Sequence, residues 1–202
     1  MPRAAMPALI LASGSPRRRE LLAEAGLRFE VRPPSEEAEG SPLPGEPADK
    51  LVVRLALQKA RDVASRAASS DRAKLIITCD TVAQCGGEIL GKPRDEADAR
   101  RMLRWLSGRM HEVLSGLCLW PLDGRKPLVR VARTTLVMDP LSDQQIDDYL
   151  AGGEWRGKAG AFGYQDRLGW IHILEGSESN VVGLPMELLG EMLENICSPG
   201  AS

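Results

Sequence analysis

The sequence has few aromatic side chains and no excess of positive charge. Phe, Trp and Tyr make up 4% of its 202 residues, and its net charge is −2. Proteins that bind single-stranded nucleic acid use aromatic side chains as stacking platforms, and a basic surface attracts the phosphate backbone. The composition therefore argues against a nucleic-acid partner. Any phosphate binding must come from a local cluster of cations.

The sequence also lacks the features of a membrane, secreted or zinc protein. No apolar run reaches the roughly 18 residues that a membrane-spanning helix needs. Four cysteines without a CxxC pair are too sparse for a disulfide scaffold and indicate reduced thiols in a cytoplasmic protein. Only two histidines, His111 and His172, are available, and they lie far apart in the sequence, which disfavours a zinc site.

The N-terminal segment has two interpretations. Arg3 and the apolar residues up to Ala12 resemble a short signal peptide, but Pro7 interrupts that stretch and three arginines follow it closely. We prefer a buried first strand at 8–12. The phosphate loop GxxxxGK[ST], the GxSxG elbow and the HExxH helix are all absent.

Strand and helix patterns alternate along the chain without a repeat or a linker. We predict one α/β domain over residues 1–202, with its core at about 8–196. The helices are predicted at 16–25, 48–67, 95–106, 142–150 and from 185 onward, and the strands at 8–12, 75–78, 113–120, 128–138 and 168–174. Because a hairpin signal at 122–125 accompanies helical crossovers, the sheet is predicted to be mixed and twisted, with flanking helices.

Three arginines occupy the first turn of the first predicted helix. Ser15 and Pro16 suit the start of that helix, but Arg17, Arg18 and Arg19 oppose the helix dipole by about 0.3–1 kcal/mol each. An anion bound at the helix N-terminus would compensate this cost. The alternative is a solvated basic turn.

Two further charged residues stand in apolar surroundings. Lys59 lies within the apolar arc of the second helix, so it either extends to water or meets a buried negative group. Asp80 follows the buried strand 75–78, at the position where open sheets bind ligands, although a turn aspartate is equally consistent. Lys92 falls on a constrained turn, and Glu36 or Glu37 in an acidic loop could supply a second carboxylate to a metal.

The chain resembles the Maf family of nucleotide pyrophosphatases in six blocks that occur in the same order. The first block is Leu9 to Arg18. The others are Asp80-Thr81-Val82, Gly91 to Asp95, Leu106-Ser107-Gly108, Lys158 to Gly163 and Val182 to Pro185.

This resemblance implies a two-lobed Maf/ITPase-like α/β fold around a central cleft, often as a homodimer. It implies metal-dependent hydrolysis, with Mg²⁺ or Mn²⁺, of a nucleoside triphosphate to the monophosphate and pyrophosphate. The implied phosphate-binding residues are Ser13, Arg17, Arg18, Lys59 and Lys92. Glu36 and Asp80 are the implied metal carboxylates, and Asp80 is also the implied proton acceptor.

Within the family, Arg17, Thr81 and Gln165 resemble the branch that acts on dTTP and UTP. Two alternatives stay open at this point. One is the family's 7-methyl-GTP branch, and the other is a regulator of cell division that binds nucleotide without hydrolysing it.

Overall fold

The computed structural model describes residues 6–166 and 168–197, apart from the side chains of Gln165 and Cys197. The strands are β1 (Ala8–Leu11), β2 (Phe29–Val31), β3 (Lys74–Cys85), β4 (Glu88–Leu90), β5 (Met110–Pro121), β6 (Leu128–Met138) and β7 (Ile171–Glu175). The helices are α1 (Pro16–Glu24), α2 (Ala48–Ser65), α3 (Glu96–Leu106), α4 (Asp143–Gly152), α5 (Glu178–Val182) and α6 (Met186–Cys197). None of the helices in these ranges is long and apolar enough to cross a membrane.

The strands form one mixed seven-stranded sheet in the order β2-β1-β3-β5-β6-β7, and β4 pairs with β3. β1 is parallel to β2 and β3, whereas the other pairs are antiparallel. The predicted mixed sheet with flanking helices is therefore confirmed, and so is the strand interpretation of residues 8–12.

The side chains of β3 alternate between the two faces of the sheet and pack on three separate surfaces. Its odd-numbered residues Leu75, Ile77 and Cys79 pack into one core with α1 and α6, and Ala83 and Cys85 pack into a second core with α3 and α4. Its even-numbered side chains face α2 on the opposite side of the sheet. Because two cores share one face and Thr81 lies between them, a cleft opens at the middle of the strand.

The helix ends follow the predicted capping patterns at α3 and α4. Asp95 accepts a hydrogen bond from the Asp98 amide at 2.8 Å, and Ser142 and Gln145 form a reciprocal capping box. α4 stops at Gly153, whose φ of 77° is unfavourable for residues with a β-carbon. Ser15 is different, because it occupies the N-cap of α1 without a side-chain capping bond.

The prediction that Asp80 follows the end of its strand is wrong. β3 continues to Cys85, and Asp80 pairs with Gly116 in the middle of the strand. The run 80–85 lacks the continuous apolar pattern of 75–77, but its pairing with β5 keeps it extended. The short strands β2 and β4 and the short helix α5 were not predicted, and β7 begins three residues later than expected.

Candidate active site

A gap in the pairing of β3 forms the floor of the site. β1 pairs with residues 74–77 of this strand and β4 pairs with residues 83–85. Within the described part of the chain, residues 78–82 therefore have no neighbouring strand on that edge, and we call this segment the β3 notch. Asp80 and Thr81 point to opposite faces of the sheet, yet both line one cavity of about 520 Å³. This volume lies within the usual range for small-molecule sites.

The turn from β1 into α1 brings two of the predicted arginines to this cavity. Arg18 donates to the Gly183 carbonyl at 2.7 Å, to Ser13 Oγ at 3.2 Å and to Thr81 Oγ1 at 3.3 Å. Arg17 donates to the Gly157 carbonyl at 3.0 Å. Burial, and then the neighbouring Arg18 charge, lower the pKa of Arg17 from its ordinary value. The turn is thus an organised cluster of cations.

Lys59 meets buried negative charge and does not extend to water. It is 5% exposed, and its Nζ lies 2.6 Å from Asp80 Oδ1 and 2.9 Å from Glu39 Oε2. Asp80 is 8% exposed, and its Oδ2 has no hydrogen-bond partner within the described part of the chain. The ammonium therefore orients this carboxylate and leaves one of its oxygens available at the cavity.

Glu39 is a site residue that the sequence reasoning missed. Burial raises its pKa, but the hydrogen bond and charge of Lys59, with smaller contributions from Lys92 and Arg18, leave that pKa below its ordinary value. Glu36 also lines the cavity, but its side chain has no hydrogen bond or ion pair to the described residues. Glu37 is exposed and does not line the cavity. The 3-10 turn at Glu36–Ala38 carries Glu39 toward Lys59.

The donor set at Lys59 fits a divalent cation. Glu39 and Asp80 supply hard carboxylate oxygens, and Glu36 lies in the same cavity. The described residues contain no group of three or more His, Cys, Asp or Glu side chains that could hold a metal ion. Mg²⁺ commonly takes one or two carboxylates and completes its shell with substrate phosphate oxygens and water, so two carboxylates are sufficient.

Of the predicted specificity residues, Thr81 lies on the opposite face of the β3 notch, and the predicted phosphate-binding residue Lys92 lines the same cavity. Thr81 Oγ1 lies 2.8 Å from Ser115 Oγ and also contacts Arg18. Lys92 is exposed and lines the cavity, without a hydrogen-bond partner in the described ranges. Gln165 falls on a 3-10 turn at Tyr164–Asp166, and its side chain lies outside the described residues.

The segment 157–166 forms the wall above this face. Ala161 has a φ of 62°, and it is the one described residue other than glycine with a positive φ. Such a conformation costs roughly 1 kcal/mol or more and is found where surrounding structure fixes the backbone. Part of that fixation comes from Gly160, which donates to the Gly91 carbonyl at 3.0 Å. The loop is therefore tightly held against the sheet.

These features define a two-lobed α/β protein with a cation-lined cleft at its central strand. The solved structure of the Staphylococcus aureus Ham1 protein has the same overall fold, with a TM-score of 0.50, 12% identity, and coverage of 94% of this chain and 99% of that one. The model of the family described as "Maf-like protein" matches residues 8–196. The chain belongs to the Maf-like protein family.

Several similar proteins carry the name dTTP/UTP pyrophosphatase. The Rhodopirellula baltica protein of this name is 50% identical, with 96% of this chain and 88% of that protein covered. The Sphingopyxis alaskensis protein is 46% identical, with 96% and 99% covered. The Ruminiclostridium cellulolyticum protein is 43% identical, with 93% and 95% covered.

Proposed function

We propose that this protein hydrolyses dTTP and UTP to the monophosphate and pyrophosphate with the help of a divalent cation. The names of its relatives support this substrate pair over the 7-methyl-GTP alternative. The observation that carries the proposal is the Asp80 carboxylate, which is fixed by Lys59 through one oxygen and has its other oxygen available beside cationic side chains.

Asp80 is the residue that takes a proton from the attacking water. A carboxylate can act as a general base only if one of its oxygens is within hydrogen-bond reach of that water. Because Lys59 occupies Oδ1, water would bind at Oδ2. A protein that only binds nucleotide has no need of such a group, so this arrangement favours an enzyme.

Cations of the β1–α1 turn and of the segment after β4 would bind the triphosphate. Lys92 has no protein acceptor among the described residues, and Arg17 donates one hydrogen bond, to the Gly157 carbonyl. Both therefore have donors left for phosphate oxygens. Arg18 donates to three protein acceptors, so it positions Ser13 in addition to contributing positive charge.

A divalent cation, Mg²⁺ or Mn²⁺, would be held by Asp80 and by Glu39 or Glu36, and it would neutralise charge on the phosphates and polarise the α-phosphorus. Lys59 would then move away from Glu39 or share it, since both carboxylates now contact the ammonium.

Thr81, Arg17 and Gln165 are the residues that we propose to select the base. Assembly as a homodimer remains a prediction, and light scattering of the purified protein would check it.

The direct test is product analysis with a panel of nucleotides and either Mg²⁺ or Mn²⁺. We expect UTP and dTTP to give UMP or dTMP and pyrophosphate faster than CTP, ATP, GTP and 7-methyl-GTP give their products. No turnover without a divalent cation is expected. Orthophosphate as the primary product would contradict attack at the α-phosphorus, and a preference for 7-methyl-GTP would contradict the assigned branch.

A further inference from the structure

A second buried lysine–carboxylate cluster lies at the cavity, in the wall segment 157–166. Lys158 is 7% exposed, and its Nζ contacts both oxygens of Asp166, at 2.6 Å for Oδ2. Tyr149 donates to Asp166 Oδ2 at 2.7 Å, and the Gly163 amide donates to the same oxygen at 3.2 Å. The sequence reasoning did not assign a role to Lys158, Asp166 or Tyr149.

Both oxygens of Asp166 are bonded to the protein. Oδ1 accepts from Lys158, and Oδ2 accepts from Lys158, Tyr149 and Gly163. It follows that Asp166 positions its neighbours and does not contact the substrate.

Lys158 differs because one of its donors is unused. An ammonium has three N–H groups. Asp166 can accept from at most two of them, and Lys158 Nζ has no other acceptor within the described residues. Lys158 also lines the cavity. Its charge is neutralised by the bidentate carboxylate, so it offers little attraction to phosphate. What remains is one directional donor.

The surroundings of Lys158 suit the base end of a nucleotide. The segment lies on the Thr81 face of the β3 notch, where Ala83, Leu106 and Phe162 give the cavity an apolar lining. Arg17 contacts the Gly157 carbonyl immediately before Lys158. A flat heterocycle is stabilised by such apolar walls, and a few fixed polar groups then decide its identity.

We propose that Lys158, positioned by Asp166 and Tyr149, recognises the nucleotide base by donating its remaining N–H to a base carbonyl oxygen. The inference rests on the proposed pyrimidine specificity and deepens it. Uracil and thymine each have two carbonyl oxygens and adenine has none, so an unpaired ammonium N–H would disfavour adenine.

The test compares Lys158→Met with wild-type protein and with the control Lys126→Met, which changes an exposed lysine outside the cavity. We expect Lys158→Met to lower kcat/KM for UTP and dTTP by about 5–150-fold, the cost of one lost buried hydrogen bond, and to change kcat/KM for ATP by less than about threefold. Tyr149→Phe removes one bond to Asp166 and keeps the ion pair, so it should erode the UTP/ATP ratio in the same direction but less.

Two results would overturn the proposal. An equal loss for UTP, ATP and inorganic tripolyphosphate would make Lys158 a phosphate ligand. A lower melting temperature with an unchanged UTP/ATP ratio in both variants would make the cluster purely structural. Calorimetric binding of UMP and AMP separates this proposal from the pyrophosphatase function. If wild-type protein hydrolysed neither nucleotide, a preference for UMP that Lys158→Met abolishes would still support it, and an equal affinity for both would overturn it.

Discussion

Two lysine–carboxylate pairs lie on opposite faces of the β3 notch, and they differ in how many acceptor positions are filled. Asp80 accepts one hydrogen bond, from Lys59, whereas Asp166 accepts four. The same charge pair can therefore serve two purposes. A carboxylate with one unbonded oxygen is available for chemistry, and one whose two oxygens are both bonded to the protein is a rigid support. Counting the occupied acceptors separates these roles where burial and charge alone do not.

The largest expected effect comes from exchanging the two carboxylates for amides. Asp80→Asn should lower kcat by roughly 10²–10⁴, the usual contribution of a general base. Asp166→Asn should change kcat for UTP much less, because Asp166 acts only through Lys158. Both variants break a buried pair, so both should lose stability, by about 3 kcal/mol for Asp166→Asn and by less for Asp80→Asn, in which Lys59 keeps its contact with Glu39. Steady-state kinetics and thermal unfolding of both variants check this. Near-normal turnover of Asp80→Asn would remove the contrast.

Two glycines allow the segments that carry Lys59 and Lys158 to pack closely against the sheet. A β-carbon on Gly116 would lie 2.3 Å from the Val52 carbonyl oxygen of α2, the helix that carries Lys59. On Gly160 it would lie 3.2 Å from the side chains of Ala83 and Leu106, at a φ of +68°. A backbone atom can move away from a new β-carbon less easily than a side chain can. We therefore expect Gly116→Ala to lower the free energy of unfolding by about 3 kcal/mol and Gly160→Ala by about 1–2 kcal/mol.

Gly190→Ala is the control for these glycine variants. Gly190 lies within α6, where a β-carbon would meet no atom within 4 Å. It should stabilise the protein by about 0.5–1 kcal/mol, since alanine loses less backbone freedom in a helix. Equal melting temperatures for Gly116→Ala and Gly190→Ala would show that α2 can move away from the sheet at little cost.

A moderate effect is expected for base selection at Gln165. A side-chain amide can pair with the O4 and N3–H edge that uracil and thymine share, whereas cytosine reverses that edge. Gln165→Ala should lower kcat/KM for UTP and dTTP by about 5–150-fold relative to CTP. An unchanged ranking of the five common nucleotides would leave base selection to Thr81 and to the wall of the cavity.

The smallest effect concerns the two candidate metal carboxylates. Because Lys59 lowers the pKa of Glu39, this group contributes stability above its unfolded pKa, and the contribution is lost as the pH falls through its folded pKa. Its side chain is 53% exposed, so Glu39→Gln should cost under about 1 kcal/mol at pH 7 and progressively less as the pH falls through the folded pKa of Glu39. Glu36→Gln is the matched control. The Mg²⁺ concentration for half-maximal activity should rise more in Glu39→Gln.

The cationic turn illustrates what could be predicted locally. Arg17 and Arg18 violate a rule of helix termini within one turn, so the sequence alone marked them as unusual. The same holds for the caps of α3 and α4, which depend on residues three positions apart. Glu39 gave no such signal. It is one of several acidic residues in a loop, and only the 3-10 turn at Glu36–Ala38 directs it to Lys59.

Local patterns thus determined the longer strands and helices, the mixed sheet and the unusual positions of Arg17 and Arg18. They could do so because the spacing of apolar residues and helix capping act over a few residues. Tertiary structure decided the partners. From the sequence, Lys59 could either extend to water or pair with a buried carboxylate, and only the position of β3 places Asp80 beside it. Asp80 lies mid-strand because pairing with β5 extends β3 past the end of β1. Lys158 and Asp166 are eight residues apart on an irregular segment that has no period to interpret. Pairing between distant strands and the course of loops depend on contacts that no short window of sequence contains.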